Sequence, residues 1–118
     1  MESQFETIAD TDTVDRLLRK SNERPIVVFK HSNSCSISAV AYREMQQLQS
    51  EVMLVEVQSA RSVSRELAER TGIRHESPQV IVLRNGKAVW NASHFDVNAR
   101  AVARVLQAHG SESEVLDG

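Results

Sequence analysis

An unbroken run of strand-forming apolar residues, from Ile26 to Phe29, constrains the fold of this chain more than any other feature. A strand that is apolar on both faces must lie in the middle of a sheet whose two faces are covered. A helical pattern follows, with apolar residues three or four positions apart: Ile37, Val40, Ala41, Met45 and Leu48. A buried strand followed by an amphipathic helix predicts an α/β fold.

The same alternation of strand and helix patterns continues along the chain. In order, the first six predicted elements are a short edge strand over 5–8, a helix capped by Asp10, Thr11 or Asp12, the strand over 26–29, a helix to about Ser50, a strand over 52–57 and a helix over 62–71. Gly72 follows at a position typical of a helix end. The two strands joined by the helix that ends near Ser50 form a parallel, right-handed βαβ unit.

The C-terminal part begins with a hairpin, because Asn85-Gly86 separates two apolar runs over 80–83 and 88–90. A last helix is capped near Asp96 or Asn98 and stops around Gly110. The order β-α-β-α-β-α-β-β-α predicts a mixed four- or five-stranded sheet with helices on both faces. Residues 1–110 are expected to form a single domain, and 111–118 a short polar tail that is disordered.

Composition excludes several classes of function. The chain has 118 residues and a net charge of −2, without a polybasic block, so nucleic-acid binding is not expected. No apolar run approaches the ~20 residues that a membrane span needs. One cysteine cannot form an internal disulfide, and the N-terminus lacks the features of a signal peptide. A cytoplasmic monomer is expected.

The single cysteine, Cys35, lies where the central strand gives way to the helix. Ser32, Asn33 and Ser34 precede it and supply N-cap chemistry, so Cys35 is expected in the first helical turn. Unpaired backbone N–H groups at a helix N-terminus stabilise a thiolate and lower its pKa. A lone cysteine is more often a buried packing residue, but this position favours a reactive thiol.

The order of elements resembles the thioredoxin fold over the whole ordered chain. Three features carry the resemblance: Cys35 at the strand-to-helix junction, Pro78 at the start of the next-to-last strand, and the Asn85-Gly86 hairpin. The resemblance implies a cis peptide bond before Pro78. It also implies that Ser77 and Pro78 lie against the reactive sulfur, where the backbone of Ser77 pairs with a bound peptide or thiol.

A closer resemblance is to the monothiol bacilliredoxins, thioredoxin-like proteins associated with the small thiol bacillithiol. It rests on four segments: Phe29-Lys30-His31-Ser32, Cys35-Ser36-Ile37-Ser38, His75-Glu76-Ser77-Pro78-Gln79 and Val89-Trp90-Asn91-Ala92-Ser93-His94. The family usually has proline directly after the cysteine, where this chain has Ser36. The resemblance implies that bacillithiol is a co-substrate, that S-thiolated proteins are clients and that no cofactor is bound.

Dithiol thioredoxins carry a second cysteine where this chain has Ser38. Without a resolving cysteine, a mixed disulfide on Cys35 must be released by an outside thiol, which predicts a monothiol cycle. Ser38 is a catalytic candidate that could donate a hydrogen bond to the thiolate, and a purely structural role is about equally supported. Trp90 is expected to pack in the core rather than to bind a ligand.

Because the last strand runs back antiparallel, His94 is expected near Cys35, together with His31 and His75. The candidate substrate-binding residues are Ser77, Pro78, His31, Ser34, Ser36, His94 and Arg74. Lys30 and Arg74 are candidate anchors for the bacillithiol carboxylates. A zinc site formed by Cys35 and the histidines fits no common ligand spacing and would silence the thiol.

The sequence is compatible with three functions. The leading hypothesis is an oxidoreductase that removes bacillithiol from client cysteines through a mixed disulfide on Cys35. A thioredoxin-like binding module without turnover is the second, and Ser36 in place of proline supports it. The third is the same chemistry with glutathione or another small thiol.

Overall fold

A computed structural model describes residues 4–33 and 36–110 of the chain. The elements are, in order, β1 (Phe5–Thr7), α1 (Asp12–Lys20), β2 (Ile26–His31), α2 (Ser36–Gln46), β3 (Val52–Glu56), α3 (Arg61–Thr71), β4 (Gln79–Arg84), β5 (Lys87–Ser93) and α4 (Ala99–Ala108). A short 3-10 turn at His94–Asp96 connects β5 to α4. Ser34, Cys35 and the polar tail predicted at 111–118 lie outside the described residues.

The strands form a mixed five-stranded sheet in the order β1-β3-β2-β4-β5. β3 is parallel to both β1 and β2, whereas β4 is antiparallel to its neighbours β2 and β5. The predicted α/β thioredoxin-like fold is confirmed, with β1 at the edge and the apolar strand β2 in the centre. All six residues of β2 are buried: the apolar run from Ile26 to Phe29, as predicted, and also the polar residues Lys30 and His31.

Two apolar cores cover the two faces of the sheet. One core packs α1 and α3 against alternate strand residues such as Val28, Met53 and Ile81. The other packs α2 and α4 against the intervening residues, among them Val27 and Phe29. Successive strand residues point to opposite faces, so consecutive residues of β2 contribute to both cores and fix its central position.

Strand pairing brings four chain segments to one edge of the sheet. His31 pairs in register with Glu56, Lys30 pairs with Gln79, and Gln79 pairs with Ser93. The ends of β2, β3 and β5 therefore meet the start of β4. We call this edge, defined by His31, Glu56, Gln79 and Ser93, the site edge.

Local signals in the sequence account for the turns and caps. Asn85 and Gly86 have φ angles of 57° and 79°, the left-handed values that a two-residue hairpin turn requires. Gly72 ends α3 with a φ angle of 75°. Asn98, rather than Asp96, caps α4, because its side-chain oxygen accepts a hydrogen bond of 2.8 Å from the N–H of Ala101.

One predicted boundary was wrong by several residues. α2 ends at Gln46, before the predicted end near Ser50, because the chain turns there to bury Leu48. Around the predicted apolar runs, β4 includes a polar residue at each of its ends and β5 continues to Ser93. In the described part of the chain, no helix has the length and apolar character that a membrane crossing requires.

Candidate functional site

The reactive candidate Cys35 belongs to the segment between β2 and α2. Ser34 and Cys35 themselves lie outside the described residues, so the site is defined by what surrounds them in the chain and at the site edge. Ser36 follows Cys35 directly in the sequence, is exposed, and is the first residue of α2. The cysteine is therefore covalently attached to the start of this helix.

Ser38 is fully buried, and its hydroxyl oxygen accepts a hydrogen bond of 3.2 Å from the backbone N–H of Ser32. Ser38 thus connects the first turn of α2 to the loop that leaves β2. This contact uses an oxygen lone pair and leaves the hydroxyl proton for another acceptor. The structural role is present, and donation to a thiolate stays a prediction.

A second segment at the site edge contains the proline. The Ser77–Pro78 peptide bond is cis, the configuration that the thioredoxin resemblance implies. The carbonyl oxygen of Pro78 accepts a hydrogen bond of 2.9 Å from the N–H of His94. The Ser77 hydroxyl oxygen is buried and has no hydrogen-bond partner among the residues described.

Two of the three predicted histidines are paired with carboxylates. Nδ1 of His31 lies 3.2 Å from Oε1 of Glu56, at the ends of two neighbouring strands. Nε2 of His94 lies 3.4 Å from Oε1 of Glu76, so the end of β5 contacts the proline loop. The return of β5 brings His94 to this edge as predicted, and each ring has an acidic neighbour that restricts its position.

The third histidine, His75, lies in the loop before Pro78. Partial burial lowers the pKa of His75, and the nearby charge of Lys30 lowers it further, while Glu76 opposes the shift. The ring is therefore neutral at neutral pH and can accept a proton. Over residues 4–33 and 36–110, no three His, Cys, Asp or Glu side chains are grouped to hold a metal ion.

Lys30 is the unexpected residue of the site. It is completely buried, and its Nζ donates a hydrogen bond of 2.8 Å to Oε1 of Gln79. Burial lowers the pKa of Lys30 to about 8, and the negative charge of Glu76 partly offsets the effect. The prediction that Lys30 anchors an external carboxylate was wrong, because the amine lies inside the protein. The other proposed anchor, Arg74, is exposed.

Two glutamines that sequence reasoning missed organise the loops. The Gln79 amide group donates to the carbonyl oxygen of Arg74, at 3.0 Å, and is 3.4 Å from the Ser93 hydroxyl. The Gln58 amide donates to the Ser32 hydroxyl at 2.8 Å. The sequence carries a weak signal for Gln79, which lies between Pro78 and the apolar run over 80–83, but its pairing with Lys30 depends on the register of β2 and β4.

Solved structures support the fold assignment. One, described as "A putative oxidoreductase with a thioredoxin fold", is 30% identical with a TM-score of 0.77 over 85% of this chain and 91% of that one. Thioredoxin f from spinach chloroplast is 18% identical with a TM-score of 0.63, covering 92% and 97% of the two chains. Mitochondrial thioredoxin 3 from Saccharomyces cerevisiae is 10% identical with a TM-score of 0.67, covering 90% and 99%. The last two show similarity of fold alone.

A family model extends this similarity to the level of a family. The model described as "Monothiol bacilliredoxin BrxC" matches residues 6–102, from β1 into α4. The match includes Cys35, the proline loop and the end of β5. It agrees with a chain that has one cysteine and points to an oxidoreductase of the thiol–disulfide exchange type. The chain belongs to the monothiol bacilliredoxin BrxC family.

Proposed function

We propose that the protein removes bacillithiol from client cysteines by monothiol exchange through Cys35. The main support for this proposal is the family match over residues 6–102, in a chain with a single cysteine. The described residues support it, since the segments on both sides of Cys35 are held at the same sheet edge as the Ser77–Pro78 loop. This arrangement is compatible with a mixed disulfide on Cys35 that is attacked by a thiol from solution.

The reaction consists of two exchange steps. The Cys35 thiolate attacks the small-thiol sulfur of the client mixed disulfide, forming a disulfide between Cys35 and bacillithiol and releasing the client thiolate, which takes up a proton. A second bacillithiol thiolate then attacks the bacillithiol sulfur of that intermediate. Cys35 leaves as thiolate, and bacillithiol disulfide is the product. The net reaction converts the client mixed disulfide and one free bacillithiol into the client thiol and bacillithiol disulfide, so one disulfide bond is broken and one is formed.

One buried charge at the site edge, that of Lys30, supports the proposed thiolate. Lys30 lies five residues before Cys35 on the strand that leads to it, and its buried ammonium is neutralised by no carboxylate within contact distance among the described residues. A cation near a cysteine lowers the thiol pKa. His94, whose Nε2 lies 3.4 Å from Oε1 of Glu76 in the proline loop, is the residue that we assign to give a proton to the departing client thiolate.

The proposal is tested by mass spectrometry of the reduced protein after incubation with bacillithiol disulfide. We expect a mass increase of one bacillithiol, its loss when free bacillithiol is added, and no adduct on Cys35→Ala. A protein that stays unmodified, or an adduct that persists in Cys35→Ala, contradicts the proposal. Parallel incubation with glutathione disulfide distinguishes the two thiols, because the preferred one forms its adduct faster.

We also propose that the protein works as a monomer in the reducing cytoplasm. The single cysteine supports the reducing compartment, because a monothiol protein depends on a pool of reduced small thiol for turnover. Fractionation and light scattering test the two statements. A dimer in the reduced state would contradict the proposed monomer.

A further inference from the structure

We propose that a cavity between α3 and the loops of the site edge binds the carboxylate groups of the small thiol that Cys35 exchanges. This inference rests on the proposed function and names the subsite that would hold the non-reacting part of the substrate. The cavity measures about 540 Å³, a volume typical of small-molecule sites. Bacillithiol, with its malyl carboxylates, belongs to the class of thiol that it would accept.

The cavity is next to the reactive segment. Ser32, three residues before Cys35, lines it on one side, and His75, three residues before Pro78, lines it on another. Gln58 also lines the cavity, and its side-chain amide donates a hydrogen bond to the Ser32 hydroxyl. A thiol joined to Cys35 through a disulfide would therefore have its remaining groups within reach of this cavity.

Two arginines give the cavity its charge. Arg61 and Arg65 line it, and no acidic side chain does so among the described residues. Neither arginine forms an ion pair within the described part of the chain. On the same helix, Arg70 is paired with Asp15 at 3.1 Å and with Glu66 at 3.4 Å. The two unpaired arginines are thus available to an anion from solution.

Arg61 and Arg65 lie at the N-terminal end of α3, where positive charge destabilises a helix. Arg61 begins α3, the first turn has no acidic residue, and Ala60 at the N-cap makes no side-chain hydrogen bond to the helix. The N-terminus of a helix carries partial positive charge and favours anions there. Two cations in the first five residues repel that charge. A bound carboxylate would remove the repulsion and accept N–H hydrogen bonds.

The buried hydroxyl of Ser64 also points to a ligand in this cavity. Ser64 lies on α3 between the two arginines, lines the cavity, and is 6% exposed. Its hydroxyl oxygen has no hydrogen-bond partner among the described residues. A buried polar group without a partner costs about 1–3 kcal/mol, and a bound carboxylate that accepts the Ser64 proton would remove this cost.

The test compares charged and uncharged disulfides. The rate of adduct formation on Cys35 is measured with bacillithiol disulfide and with 2-hydroxyethyl disulfide, for the natural protein and for the double variant Arg61→Gln, Arg65→Gln. We expect the double variant to react about fivefold to tenfold more slowly with bacillithiol disulfide, and within twofold of the natural rate with the uncharged one. Arg104→Gln on α4, with the same change of charge per residue, is the control.

Binding is measured separately from exchange. S-methyl bacillithiol, which cannot exchange, is titrated into the ¹⁵N-labelled protein, and we expect saturable shifts at Arg61, Ser64 and Arg65 that the double variant loses. Ser64→Ala should bind this ligand at least twofold more weakly without a loss of thermal stability, because the hydroxyl has no partner inside the described structure.

The outcomes separate the two proposals. If neither disulfide modifies Cys35, the proposed function fails, and the titration still decides the subsite. Equal slowing of both disulfides by the double variant, or no slowing, together with no titration shifts on α3, would overturn the subsite alone. A defect that occurs only with disulfides of glutamate-rich peptides would also overturn it, because the carboxylates would then come from the client.

Discussion

The Nζ atom of Lys30 lies 2.8 Å from Oε1 of Gln79, and this hydrogen bond joins the two central antiparallel strands directly beneath the proline loop. Because the Gln79 amide group in turn donates to the Arg74 carbonyl oxygen, one buried amine helps to orient the loop that carries Ser77 and Pro78. A buried cation is costly unless it is well partnered. Burial of the Lys30 amine therefore opposes its protonation and lowers its pKa.

Stability should depend on the titration of Lys30. Its pKa is about 8 in the folded protein and 10.5 when unperturbed, so between these values the unfolded chain binds a proton that the folded protein lacks. The free energy of unfolding should therefore rise with pH from about 8 to about 10.5, by at most about 3 kcal/mol and by less where water screens the amine. Below pH 8 both states are protonated and Lys30 contributes no slope.

This pH dependence is measured by urea unfolding at several pH values in a Cys35→Ala background, which removes thiol titration. Lys30→Met should abolish the rise, whereas Lys87→Met, at the exposed start of β5, should retain it. A rise of the same size in Lys30→Met would show that another group titrates.

Arg84 should stabilise the fold without affecting exchange. Its guanidinium is buried and donates to the carbonyl oxygens of Ser21, at 3.0 Å, and His109, at 2.9 Å. These oxygens lie at the C-terminal ends of α1 and α4, where positive charge is favourable. We expect Arg84→Met to lower the free energy of unfolding by about 2–4 kcal/mol, since it removes two hydrogen bonds that a charged, buried guanidinium donates.

The exchange rate of folded Arg84→Met should remain unchanged, because β4 places residue 84 roughly 17 Å from Gln79 at the site edge. Arg104→Met, on the exposed side of α4, serves as the matched control and should change stability by less than about 0.5 kcal/mol. Slower exchange in Arg84→Met at a temperature where it is fully folded would contradict this separation of roles.

Replacing Ser36 by the proline that is usual in the family should be tolerated. Ser36 is the first residue of α2, where a missing N–H does no harm and the fixed φ angle of proline suits the helix. We expect Ser36→Pro to raise the free energy of unfolding by about 0.5 kcal/mol, measured by urea unfolding. Ser36→Ala removes the hydroxyl alone and should not stabilise. A loss above about 1 kcal/mol would show that the Ser36 N–H is used.

The fold could be predicted because its signals are local. The apolar run at 26–29 identifies the central strand, and Asn85-Gly86 identifies the hairpin that brings His94 back to the site edge. The partners of the site residues could not be predicted in this way. That His31 contacts Glu56 depends on the register of β2 against β3. Both strands are apolar on both faces, so their pattern lacks the alternation that would distinguish one register from the next.

The burial of Lys30 also could not be predicted from local sequence signals. A lysine near the reactive cysteine is naturally interpreted as an exposed anchor, because lysines are almost never fully buried unless paired. Only the cross-strand position of Gln79 shows that a buried partner is available. The arginines of α3 were missed because their proximity to Ser32 and His75 results from the packing of α3 against the sheet, which no local motif encodes.

Phe95 should affect exchange with protein clients and leave exchange with small disulfides unchanged. Its side chain is 75% exposed, although phenylalanine is usually buried, and it follows His94 at the site edge. Exposed aromatic residues beside a reactive group are typical contacts for a protein partner. We expect Phe95→Ala to slow removal of bacillithiol from a thiolated client about threefold to tenfold, measured by mass spectrometry of the client, and to leave adduct formation with bacillithiol disulfide within twofold.

Phe95→Leu, which keeps an apolar side chain, should recover part of the client rate. Equal slowing with both substrates would instead indicate that Phe95 acts on the site itself, through the neighbouring His94.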